Sequence, residues 1–179
     1  MSRRKLFLIL IAVLAVIFAS LSASCGNEEE DSLLAPDFTL QALDGEKITL
    51  SDFRGKPVML TFWRIDCPSC EAQIPFLQGF YNTWSKAPLG MITINTGDKA
   101  AAVSDFAASK NITYPILLDP DNKVAQYYGI PGVPITFFID AQGVVQAYKL
   151  GPFQSQQEIE LGLDSLYPSL TGTDNKQEE

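Results

Sequence analysis

Two cysteines, Cys67 and Cys70, stand where a β-forming run ends and a helical pattern begins, and that junction constrains the fold more than any other feature of the chain. Residues 58–63 (VMLTFW) are apolar and rich in β formers, bounded upstream by Gly55, Lys56 and Pro57. Such a run reads as a buried central strand. Over residues 68–84 the period changes: Ile74, Leu77, Phe80 and Tyr81 recur at helical spacing. Pro75 lies inside that helix and is expected to kink it. Cysteines at i and i+3 of a first helical turn place their sulfurs side by side, close enough to join with little backbone movement. The unpaired N–H groups of that turn point at the first sulfur and, with the helix dipole, stabilise a thiolate. Pro68 suits the turn because its missing N–H would be unpaired anyway, and Ser69 adds a hydroxyl. As a structural staple, so short a loop removes little entropy from the unfolded chain. The spacing therefore points to exchange chemistry. Cys67 attacks a partner disulfide, and Cys70, held behind it and more buried, resolves the mixed disulfide.

Composition narrows the alternatives. The 179 residues include three cysteines and no histidine, which excludes Ser-His-Asp and Cys-His nucleophiles and imidazole acid–base chemistry. It also makes a closed four-ligand zinc site within one chain unexpected. No metal and no cofactor beyond the redox-active Cys67–Cys70 disulfide is expected. The formal charge is −8 with scattered basic residues, which disfavours a nucleic-acid partner.

The third cysteine has a different context. Arg3, Arg4 and Lys5 precede an unbroken apolar run over residues 6–19, and small residues lead from Ser20 to Cys25. That order is the pattern of a secretory signal peptide over residues 1–24. The run is shorter than the roughly 20 residues that span a bilayer, although an uncleaved N-terminal anchor remains the alternative. Ser22-Ala23-Ser24-Cys25 resembles the lipobox of bacterial lipoproteins, in which the Cys after the cleavage site is lipidated; Ser22 stands where Leu is commonest. Cleavage there removes three basic residues and no acidic one, taking the charge to −11. Residues 25–34 read as an acidic tether, 35–169 as one folded domain and 170–179 as a disordered tail.

Within the domain, residues 38–40 and 48–50 around Asp44-Gly45 suggest a hairpin. After the Cys67–Cys70 helix come a buried strand over 90–95, an Ala-rich helix over 99–110 and a short strand over 114–119. A brief helix over 124–128 follows, with Asp121 or Asn122 as its cap and Gly129 as its stop. Strands over 135–140 and 144–150 form a second hairpin, and an amphipathic helix over 155–166 ends the domain. This order implies an α/β fold, a mixed central sheet flanked by helices, with an N-terminal β-hairpin extension.

Several motifs carry a resemblance. They are residues 35–40 (APDFTL), 50–57 (LSDFRGKP), Phe62-Trp63, Cys67-Pro68-Ser69-Cys70 with Pro75, 128–134 (YGIPGVP), 136–140 (TFFID), Gly143 and Gly151. Together they resemble the thioredoxin superfamily and, within it, the TlpA/ResA-like membrane-anchored thiol-disulfide oxidoreductases related to the AhpC/TSA group. The resemblance implies a thioredoxin-like fold over residues 35–168. It implies that Pro134 is a cis-proline facing the cysteine pair, and that the Val133 backbone pairs with the client chain. Trp63, Asp66, Pro68 and Ser69 are then neighbours of the active site. The implied partners are client protein thiols or disulfides, apocytochrome c among them, and a membrane electron donor. The implied location is the outer face of the bacterial cell membrane, held by a lipid anchor at Cys25.

The chain departs from these families at four positions. Asp66 replaces the usual aromatic before the first Cys, and Arg64 stands where a small residue is usual. Gln73 replaces a Glu of some ResA-like members, and Thr61 a buried Asp of thioredoxins. Asp66 and Glu71 would raise the thiol pKa and Arg64 would lower it. Two other classes fit less well. A peroxiredoxin-type peroxidase places Thr or Ser, and Pro, where this chain has Arg64 and Leu60. A thioredoxin-fold lipoprotein acting as a binding or assembly module would not need an intact Cys pair; a copper carrier of the SCO type would need a wider Cys spacing and a histidine.

Overall fold

The computed structural model describes residues 34–167. The signal peptide over 1–24, Cys25, the tether up to residue 33 and the tail over 170–179 lie outside them. Among the described residues no helix is long and apolar enough to cross a membrane.

Alternation of apolar, β-branched runs with helical ones produces the expected order. Strands β1 (Thr39–Ala42) and β2 (Lys47–Thr49) form the N-terminal hairpin, and a 3-10 turn (Leu50–Phe53) leads on. Then come β3 (Val58–Trp63), α1 (Pro68–Trp84), β4 (Gly90–Thr96), α2 (Ala100–Ser109), β5 (Ile116–Asp119) and α3 (Lys123–Tyr127). Strands β6 (Ile135–Ile139) and β7 (Val145–Leu150) and helix α4 (Gln156–Leu166) complete the domain. One mixed sheet runs in the order β2-β1-β5-β4-β3-β6-β7. Strand β3 lies parallel to β4 and antiparallel to β6, and all six of its residues are buried, as a central strand covered on both faces requires.

Alternate residues of β3 feed two cores. Met59 and Trp63 join Leu77 and Phe80 of α1, Val103 of α2 and Ile159 and Leu163 of α4. Val58, Leu60 and Phe62 join Ile92, Ile94 and Leu117 with Val124 and Ala125 of α3 and Phe38 and Leu50 of the N-terminal segment. The two-residue period of the strand thus sorts its side chains between the helix layers. Cys67 and Cys70 sit at the rim of the first core.

Helix α1 spans Pro68 to Trp84 with Pro75 inside it, as the sequence reading has it. Two local details differ from that reading. The cap of α3 is neither Asp121 nor a side-chain bond from Asn122, which occupies the N-cap position in a left-handed conformation (φ 57°). Asp119, 2% exposed at the end of β5, does that work: Oδ1 accepts from the Lys123 N–H and Oδ2 from the Ala125 N–H, both at 2.9 Å. A buried carboxylate at the strand end needs donors, and the first turn of α3 has N–H groups to spare. Finally, Leu34 leaves the tether and bridges Val144, while the Ala35 N–H donates to the Gly143 carbonyl at 2.9 Å.

Candidate active site

Cys67 is the N-cap of α1, with extended backbone (φ −137°, ψ 96°), and Pro68 takes the first helical position. Cys67 and Cys70 are joined as a disulfide with their Cα atoms 5.1 Å apart. The Cys70 N–H donates to Cys67 Sγ at 3.1 Å. Ser69 Oγ lies 3.3 Å from the same sulfur, and since a disulfide sulfur carries no hydrogen, the hydroxyl is the donor. Both donors lie within hydrogen-bond range of that sulfur, and hydrogen bonds to the charged form of a thiol lower its pKa. The two sulfurs are not equivalent: Cys67 is 9% exposed and Cys70 1%.

The second wall of the site comes from the loop before β6. The Val133–Pro134 peptide bond is cis, and the Val133 carbonyl oxygen lies 3.7 Å from Cys67 Sγ. Pro134 is buried, and its carbonyl accepts from the Gly151 N–H at 2.9 Å, tying this loop to the end of β7. Residues 66 positions apart in sequence thus meet at one sulfur.

A third component was not foreseen from the sequence. The Asp98 carboxylate accepts from the Ile65 N–H and from Asn95 Nδ2, both at 2.9 Å. The Cys67 N–H in turn donates to the Ile65 carbonyl at 2.8 Å. Asp98, beyond the end of β4, therefore holds the loop that delivers Cys67 to the helix start. No local pattern encodes this contact, because it depends on β3 and β4 lying parallel and ending together.

The remaining candidate residues fall into place around this frame. Trp63 is buried and packs on Phe106 of α2 with ring centroids 5.7 Å apart. Pro68 is exposed and Ser69 half-buried. Asp66 is exposed and makes no hydrogen bond or ion pair among the described residues. Glu71 is engaged by Lys110, whose Nζ also lies over the Phe106 ring. The two positions where resembling families carry a carboxylate hold neutral side chains with partners of their own. Thr61 Oγ1 and Thr136 Oγ1 are hydrogen-bonded at 2.9 Å in the buried sheet, and Gln73 Oε1 accepts from the Phe153 N–H at 3.3 Å.

This arrangement leaves Cys67 the less buried of the two cysteines and lays the Val133 backbone alongside its sulfur. Known proteins are similar to the chain as a whole. The chain matches the AhpC/TSA family over residues 33–148. It is 34% identical over 134 residues to the thiol-disulfide oxidoreductase ResA of Geobacillus thermodenitrificans, covering 75% of this chain and 76% of that protein. The crystal structure of StoA from Bacillus subtilis superposes with a TM-score of 0.65 at 25% identity, over 72% of this chain and 97% of StoA. A secreted Mycobacterium tuberculosis disulfide oxidoreductase homologous to E. coli DsbE superposes with a TM-score of 0.64 at 25% identity, over 76% of this chain and 98% of that one. With its paired cysteines at the head of α1 in a thioredoxin-like sheet, the chain belongs to the AhpC/TSA family and is a thiol-disulfide oxidoreductase of the ResA/DsbE type.

Proposed function

We propose that the protein is an extracytoplasmic, membrane-attached reductant that transfers two electrons from its Cys67/Cys70 dithiol to disulfides in client proteins, apocytochrome c among them. The Cys67 thiolate attacks one sulfur of the client disulfide, forming the mixed bond and releasing a client thiolate, which takes up a proton. The Cys70 thiolate then attacks Cys67 Sγ, the mixed bond breaks and the second client sulfur leaves. The client is reduced by two electrons and the protein is left as the Cys67–Cys70 disulfide. A membrane dithiol donor restores it, and no cofactor besides that disulfide is needed. The observation that carries the reading is the difference between the two sulfurs. Cys67, the more exposed, lies against the Val133 carbonyl, where an extended client strand has backbone to pair with. The location rests on the apolar run over 6–19 and the lipobox-like residues ending at Cys25. The secreted mycobacterial relative agrees with it.

Two measurements test this reading. Equilibration with glutathione buffers should give a potential nearer the about −270 mV of thioredoxin than the about −120 mV of a strong oxidant; the reverse would make the protein an oxidant. In cells, Cys70→Ser should accumulate client proteins bound to Cys67 through a disulfide, in a membrane fraction lost on Cys25→Ala. Capture by Cys67→Ser instead would refute the assigned nucleophile.

A further inference from the structure

A groove of about 290 Å³ opens beside the dithiol, lined by Arg64, Asn122, Gln126, Ile130, Pro131 and Val133 among others. Val133 belongs to both places: its carbonyl lies 3.7 Å from Cys67 Sγ, and the residue also lines the groove. An extended chain laid along Val133 is therefore next to both the reactive sulfur and this groove. The lining is apolar or neutral except at Arg64, its one charged group.

Arg64 is exposed and, among the described residues, makes no hydrogen bond or ion pair. Other described charges do not serve it. Asp98 is occupied by the Ile65 N–H and Asn95, Lys123 pairs with Asp121 at 3.1 Å, and Asp66 makes no ion pair with it. A guanidinium matches a carboxylate in shape and charge, and next to a partly apolar groove its attraction is less screened than in open water.

We propose that Arg64 is a specificity-determining residue, receiving a carboxylate side chain that flanks the reactive cysteine of the client. The protein thereby favours client disulfides with Asp or Glu beside them. The inference rests on the client-exchange reading above and adds the chemical class of the flanking residue. The overall charge of −8 repels every acidic client, so the preference shows only as a dependence on the residue beside the cysteine.

The test uses the full chain, reduced, and three peptides with the same internal disulfide, flanked by Asp, Asn or Lys. The second-order rate constant for peptide reduction is measured for each. The Asp-to-Lys ratio is expected to be roughly 3- to 10-fold, as for a partly screened ion pair, and to shrink in high salt. Arg64→Gln should bring it to 1 or below, because the net negative charge of the protein then acts alone, and Arg64→Glu should lower it further. Because the ratio is internal to each variant, any change of Cys67 acidity caused by losing Arg64 cancels. A ratio near 1 in the natural protein, or one that Arg64→Glu leaves unchanged, overturns the assignment of Arg64 while the exchange reading stands. A ratio that high salt does not reduce overturns it as well. If the Asn peptide is not reduced at all, the exchange reading fails first.

Discussion

Cys67 combines three local features that each favour its anion: the N-cap position, the Cys70 N–H and the Ser69 hydroxyl. All three follow from residues 67–70 and were legible in the sequence. The support behind them was not. Asp98 reaches back across 33 positions to the Ile65 N–H, and the same oxygen takes a donor from Asn95. Removing that carboxylate leaves a part-buried N–H and an amide without their acceptor. Asp98→Ala should cost about 1–3 kcal/mol in urea unfolding at fixed redox state. Asp98→Asn, which keeps an acceptor oxygen, should recover part of it. Equal midpoints for natural protein and Asp98→Ala would show that water replaces the carboxylate fully. Asp66, adjacent to Cys67 in sequence, has no such contact among the described residues.

At the scale of elements, the two caps show how far local signals reach. Helix α4 starts one residue after the expected position, and its cap is local: Ser155 Oγ accepts from the Glu158 N–H at 3.1 Å, so Ser155→Ala should cost about 1 kcal/mol. Glu158 itself accepts from the Gln154 N–H at 2.7 Å and pairs with Lys149 at 2.8 Å. The Gln154 N–H first, and Lys149 second, hold its carboxyl below the usual 4.5. A depressed folded-state pKa stabilises above the unfolded value and is lost as pH falls through the folded one. The stability gap between natural protein and Glu158→Gln should therefore be present at pH 7 and close on acidification below about pH 4.5. Because the Glu158 side chain is partly exposed, solvent screening should keep that gap to a fraction of a kcal/mol. A gap that widens in acid would contradict this origin. Helix α3 is the opposite case, since its cap, Asp119, comes from the preceding strand rather than from the residues next to the helix.

For the molecule as a whole, the sheet order sets where chemistry can happen. Strand β3 is covered on both faces, and its end joins the end of β4, the loop before β6 and the start of α1. The core behind this site should tolerate little loss. Leu60, fully buried in the face opposite Met59 and Trp63, should cost about 2–5 kcal/mol on change to alanine. Peptide reduction by the fraction that remains folded should persist, because Leu60 lies in the other core from the dithiol. Loss of exchange at a temperature where Leu60→Ala is still fully folded would show that this core shapes the site. Tyr167, the last described residue, is buried with its hydroxyl pushed up to about 12, first by burial and then by Asp140.

The sequence alone determined the strand–cysteine–helix junction, the order of the elements and the split of the cysteines into a reactive pair and a candidate lipid site. Those follow from periods of two and 3.6 residues and from turn chemistry, which act between near neighbours. Tertiary structure decided which distant groups meet at Cys67: the Val133 carbonyl on one side, the Asp98-anchored loop behind it, and Arg64 at the edge of the adjoining groove. These depend on which strands pair and where they end together, and side-chain periodicity leaves that open because every register of a buried strand keeps it apolar.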